Sequence, residues 1–168
     1  SGGLGAVVTK AFLDAGARVI GVDRSAHSKN ADHPSLSHFA VALDDAAAVD
    51  HLVSDVIEMY ERIDAVVHLV GGYAGGQRVD ETSDETWEKM IGINLKPASI
   101  LIRAVLPVMR EARRGAIIAI GSSAALAPVA TLGAYGASKA ALISLVRTVA
   151  EENREFGIRA NVVEDDRH

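Results

Sequence analysis

The sequence contains no cysteine, which removes disulfides, thiol nucleophiles and Cys-ligated metals from consideration. Its six histidines have no tight acidic cluster around any of them, so no metal-ligand pattern emerges. No unbroken apolar run reaches the ~18 residues that span a bilayer. The N-terminus lacks a basic-then-apolar leader, so a cytosolic (cytoplasmic) location is expected. There is no basic excess either: 17 Lys and Arg stand against 22 Asp and Glu, a formal net charge of −5. That balance argues against a nucleic-acid or anionic-membrane surface. Aromatic residues are scarce, at 4 %.

What the chain does have is apolar material. With 168 residues and 49 % hydrophobic content, residues 1–168 have enough for one domain with a sizeable core. Few aromatics with many Ala, Val and Gly suit a parallel sheet packed closely against helices. Val8, Ala11, Phe12 and Ala15 line one helical face, and Gly16 supplies a stop. Residues 18–22 read as a buried strand ending at Asp23, residues 24–37 as a polar loop, and residues 39–43 as a second strand. Asp44 or Asp45 caps a helix whose Val49, Leu52, Val53, Val56, Ile57 and Tyr60 recur at spacings of three and four. Residues 65–70 form a third strand before a Gly-rich turn at 71–76. A helix opening at Thr82 or Ser83, a long apolar helix at about 96–111, a strand at 117–120, a helix at about 134–155 and a last strand at 158–163 follow. Strands alternating with helical crossovers predict a doubly wound parallel α/β sheet, three-layered and Rossmann-type.

Three sets of residues carry chemistry. The start, Ser1-Gly2-Gly3-Leu4-Gly5, places Gly3 and Gly5 just before a helix. There, backbone N–H groups and the helix N-terminus suit a pyrophosphate. Asp23 follows Gly3 by twenty residues at a strand end, where an acidic side chain accepts hydrogen bonds from a ribose. Asp23 would repel a 2′-phosphate and so favours NAD over NADP, while Arg24 beside it leaves NADP open. Tyr135 and Lys139, four apart, share a helix face. A cation near a phenol stabilises the phenolate, which makes Tyr135 a candidate general acid/base. Ser122 lies thirteen residues earlier, at the carboxyl end of a buried strand, where ligands of α/β sheets bind.

With SGGLG (1–5), VDR (22–24), INL (93–95), IGSS (120–123), YGASK (135–139) and IRANVV (158–163), the chain resembles the short-chain dehydrogenase/reductase family over essentially its whole length. The resemblance implies hydride transfer between NAD(H) and a ketone or secondary alcohol. Tyr135 would pass the proton, and Ser122 would hydrogen-bond the substrate oxygen. Lys139 would hold the nicotinamide ribose, and Asn94 would hold a water linking Lys139 to solvent. Gly3, Leu4, Gly5, Asp23, Leu43, Gly71, Tyr135 and Lys139 would contact the cofactor. The two long helices would form a homodimer or homotetramer through a four-helix bundle.

The chain departs from the family pattern in four places. Only the tail of the opening Thr-Gly motif is present. The Asp common near the adenine aligns with Ala42, so Leu43 offers only backbone and apolar contact. The usual Asn-Asn-Ala-Gly reads His68-Leu69-Val70-Gly71, and His68 is expected to be a strand residue with a local partner. After Asn161-Val162-Val163, five polar residues stand where a final strand and a substrate lid are usual. The family's first strand, missing here, lies between the strand ending at Asp23 and the strand at 65–70. Without it, two strands are left with unpaired backbone groups, at ~1–3 kcal/mol for each group buried without a partner. Residues upstream, a rearranged sheet or a strand from a partner chain would each answer this. The alternative to an active oxidoreductase is a catalytically silent fragment, a nucleotide-binding remnant without turnover.

Overall fold

The computed structural model describes residues 3–25 and 33–164. Helix α1 (Gly3–Asp14) ends where Gly16, at φ 82°, takes a left-handed conformation that glycine adopts without steric cost. Strand β1 (Val19–Asp23) pairs in parallel with β2 (Leu36–Ala40), from Val19 opposite Leu36 to Asp23 opposite Ala40. Helix α2 (Ala46–Tyr60) starts under an N-cap in which Asp45 accepts a hydrogen bond from the Ala48 N–H. It buries Val49, Leu52, Val53 and Val56, the stripe expected from their spacing. Strand β3 (Ala65–His68) leads to α3 (Asp84–Asn94), capped by Ser83, and α4 (Lys96–Glu111) follows at once. Pro97 has no N–H to give the preceding turn, and the two helices break at Leu95. Strand β4 (Gly115–Ile120), helix α5 (Gly133–Glu152) and strand β5 (Ile158–Val163) complete the order.

Alternation along β4 fixes the layers. Ile117 and Ala119 are buried, and with Ile158 and Ala160 of β5 they face α2, α4 and α5 in one core. Met109, Leu142 and Val146 fill it from the helices. By length and composition the helical stretch 84–111 is apolar enough to cross a membrane, with a mean hydropathy of 1.4 over an 18-residue window inside it. Here it buries Met90, Ala98, Ile102, Val105 and Met109 inside the protein instead.

Two strand boundaries differ from the sequence reading. Strand β2 begins at Leu36 rather than residue 39, so Leu43 falls in the loop beyond it. The apolar run Phe39–Leu43 suggests a buried strand. In fact β2 is half-exposed with one neighbour, and its alternating residues Leu36 and Ser37 join the ladder. Strand β3 stops at His68, two residues early, and Val70 is exposed.

The expectation of a missing central strand is met. The described strands form two separate parallel sheets, β1–β2 and β3–β4–β5. Neither β1 nor β3 pairs across the divide. No residue of α1, β1 or β2 is fully buried. Unmet strand-edge groups weigh heavily against a net stability of typically ~5–15 kcal/mol. Fusing a short apolar strand and turn ahead of Gly3 is therefore expected to raise the thermal midpoint by roughly 4 °C or more. An unchanged midpoint in calorimetry, with the added segment still cut by protease, would mean that these edges do not accept a strand.

Candidate active site

The carboxyl ends of β3 and β4 carry the site. Ser122 follows β4 and begins a short turn, Ser123–Ala125, with its Oγ accepting from the Ala124 N–H at 3.3 Å. Helix α5 lies against this turn. A Cβ on Gly136 would sit 2.9 Å from the Ala124 carbonyl oxygen, so only glycine permits the approach. That contact sets Tyr135, half-buried, beside the turn that holds Ser122. One helical turn on, Lys139 is 5 % exposed and donates from Nζ to the Ile120 carbonyl at 2.8 Å, at the very end of β4. Tyr135 and Lys139 thus share a face of α5, and both are tied to the head of β4.

Asn94, at the end of α3, is fully buried. Its Oδ1 accepts from the Gly72 N–H at 2.9 Å, and its Nδ2 donates to the Gly72 carbonyl at 3.0 Å and to Ser138 Oγ at 3.0 Å. The Asn94 side chain therefore braces the Gly-rich loop against α5. Gly71 leaves the space beside it: a Cβ there would lie 2.9 Å from Asn94 Oδ1 and 3.3 Å from Lys139 Nζ. Tyr73, exposed on the same loop, meets the Tyr135 ring edge-on at 5.2 Å. Gly136, Ser138, Gly72 and Tyr73 were not singled out from sequence. A glycine inside a helix, costing ~0.5–1 kcal/mol relative to alanine, is the signal that marks Gly136.

The nucleotide side is less enclosed. Gly3, Leu4 and Gly5 form the first turn of α1 rather than a loop ahead of it. Their N–H groups belong to the unpaired set that any helix N-terminus offers to an anion. Asp23 ends β1, and its carbonyl accepts from the Val41 N–H at 2.8 Å. Arg24 forms an exposed ion pair with Asp44 at 2.9 Å. Leu43 sits half-buried in the loop between β2 and α2.

His68 is the anomaly. Its side chain is 2 % exposed, and among the described residues neither ring nitrogen has a well-formed hydrogen bond. A local group, the Val70 backbone, does act on the ring, though without a well-formed bond. Burial pushes its pKa down from 6.5 to about 4, the nearby Lys139 ammonium adds to the fall, and the Val70 backbone offsets part of it. The unfolded chain therefore takes up a proton as pH drops below 6.5, while the folded one does not until about 4. Stability present above pH 6.5 is lost across that window, to an extent of about 3 kcal/mol. Denaturant unfolding at pH 7 and pH 4.5 checks this: His68→Leu should lose less stability between the two values than the parent chain.

The short chain dehydrogenase profile matches residues 1–165. The short chain dehydrogenase adrF of Penicillium rubens is 35 % identical over 96 % of this chain and 64 % of its own length. The short-chain dehydrogenase/reductase olcF of Penicillium canescens is 37 % identical, over 96 % of this chain and 63 % of its own. This chain thus spans a little under two thirds of the relatives it matches. Among solved structures, a short-chain dehydrogenase from Streptomyces avermitilis superposes with a TM-score of 0.89 at 30 % identity, covering 96 % of this chain and 61 % of that one. Serine dehydrogenase from Escherichia coli superposes with a TM-score of 0.86 at 28 % identity, covering 98 % and 77 %. In sequence and in fold, this chain belongs to the short-chain dehydrogenase family.

Proposed function

We propose that the protein is an oxidoreductase that interconverts a ketone and a secondary alcohol using NAD(H). The observation that carries this reading is the placement of Tyr135 and Lys139 on one face of α5, held to the strand end that bears Ser122. The chain's features fit a nicotinamide dinucleotide. The first turn of α1 is open: among the described residues, no atom outside its own helical turn lies within 4 Å of a Cβ built on Gly3. Asp23 closes β1, and the bare Gly71 leaves space beside Lys139. When bound, the nicotinamide supplies or accepts the hydride.

The rest of the chemistry falls to the chain. Tyr135 Oη gives or takes the proton at the substrate oxygen, and Ser122 Oγ orients that oxygen by a hydrogen bond. Lys139 Nζ holds the ribose hydroxyls and places a positive charge beside the phenol. Asn94 keeps the Gly71–Gly72 backbone and α5 in register, a brace suited to holding a relay water as well. Asp23 accepts from the adenosine ribose, and the Arg24–Asp44 pair turns the neighbouring cation away from a 2′-phosphate, which favours NAD over NADP. The long helices α4 and α5 are the surfaces proposed for a homodimer or homotetramer. On α5 the exposed stripe includes Ser144, Arg147 and Thr148.

The divided sheet favours a second reading, a nucleotide-binding chain without turnover. Two experiments separate and test these readings. Tyr135→Phe is expected to lower kcat at least ~100-fold while NADH affinity, measured by calorimetry, changes little. Normal turnover by that variant would sink the mechanism, and NADH binding without turnover of any ketone or alcohol in a broad panel would favour the second reading. Asp44→Asn should release Arg24 and improve NADPH binding relative to NADH by about 3–10-fold, the scale of a single exposed charge contact. An unchanged ratio would remove the ion pair from the account of cofactor choice.

A further inference from the structure

Among the buried polar groups, His68 has no part in the chemistry just described. It is the last residue of β3 and lies in register with Ala119 of β4, so the two side chains leave the sheet on the same face. That face meets α2, α4 and α5. The next residue of β4, Ile120, provides the carbonyl that binds Lys139 Nζ. Three residues beyond His68, the missing Cβ of Gly71 would lie 3.3 Å from the same Nζ. The imidazole and the ammonium therefore converge on the head of one strand pair. Lys139 is the charged group that acts on the imidazole, beside the Val70 backbone; Asn94, tied to Met90 and Ser138 and next to Gly71, brings no charge.

A buried imidazole beside a cation stays neutral. In that form one ring nitrogen carries a lone pair and accepts, while the other donates. An ammonium has three N–H donors and no acceptor, so it can serve several acceptors at once. A buried acceptor without a well-formed bond thus lies next to a buried donor group.

We propose that His68 is a positioning residue for Lys139. It offers a ring-nitrogen lone pair that seats the ammonium at the head of β3 and β4 when Nζ turns from the Ile120 carbonyl toward a ribose. This rests on the oxidoreductase reading for the ribose, but not for the contact between the two side chains. The seat explains how a histidine stands where the family pattern has an asparagine: both offer an acceptor. The two differ in acid, because protonated His68 has no lone pair and repels the lysine.

The test has two arms. In the cofactor-free chain, nitrogen-15 NMR of the imidazole follows its titration, with a midpoint near 4 expected. Lys139→Met should raise that midpoint by roughly half a unit or more. An unmoved midpoint would overturn the proposal whether or not the chain binds nucleotide. In the second arm, NADH affinity is measured by calorimetry from pH 4, near the His68 midpoint, to pH 8. His68→Asn, which keeps an acceptor, should stay within about threefold of the parent, and His68→Leu, which keeps bulk but no acceptor, should bind about tenfold more weakly. The parent should lose affinity toward acid, and His68→Asn should not. Equal affinity of His68→Leu and the parent, with the same pH profile, would overturn the proposal. If the parent itself binds no NADH, that result counts against the oxidoreductase reading, and the titration arm alone decides the seat. If His68→Leu does not fold, the contrast between the parent and His68→Asn in acid takes its place.

Discussion

The candidate site depends on one close approach, that of α5 to the turn after β4. At Gly136 the helix backbone comes near enough to the Ala124 carbonyl that a methyl group would collide with it. Because the neighbour is backbone and not a flexible side chain, neither element can yield without moving the strand end. The contact fixes the depth of α5 over the sheet, and depth decides where Tyr135 stands relative to Ser122. The Lys139–Ile120 bond sets the same spacing one turn later. Asn94, bound to Gly72 and Ser138, ties the loop after β3 into the arrangement. Three elements distant in sequence are thereby held as one rigid corner.

Much of this is legible in the residues. The stripe on α2, the cap at Asp44 or Asp45, the Gly16 stop and the alternation of strands with helices follow from periodicity and turn chemistry, which act locally. The pairing of Tyr135 with Lys139 follows from helical geometry alone. The contacts that join elements are less accessible, because spacing within one element says nothing of what faces it. Asn94 reads as a candidate for holding water, while its amide is engaged by Gly72 and Ser138. His68 reads as a strand residue with a local partner, yet β3 ends there and its ring has no well-formed bond. The start of β2 is misjudged for a related reason: hydrophobic runs signal burial, and a half-exposed strand with one neighbour need not follow them.

The two halves of the proposed site also differ in how they are built. Asp23 and the α1 turn belong to a layer with no fully buried residue, whereas Asn94, Ser122 and Lys139 are buried. The departures from the family pattern at Ala42 and His68 fall on either side of the divide between the two sheets. Hydrogen bonds join Asn94, the loop after β3 and Lys139 across α3, β4 and α5, while the Asp23 carbonyl and Arg24 meet Val41 and Asp44 in the segment after β2.

That asymmetry makes the chain two cooperative units of unequal strength. Amide protons of β4, α4 and α5 lie over a continuous apolar core, and their exchange with solvent requires opening that core. Those of α1, β1 and β2 have no such cover, and partial opening exposes them at much lower free energy. A nucleotide held at the Asp23 end, as proposed, would steady the less covered unit, and that ordering would subtract from its affinity. The residues proposed to move the proton lie in the unit that is already in place.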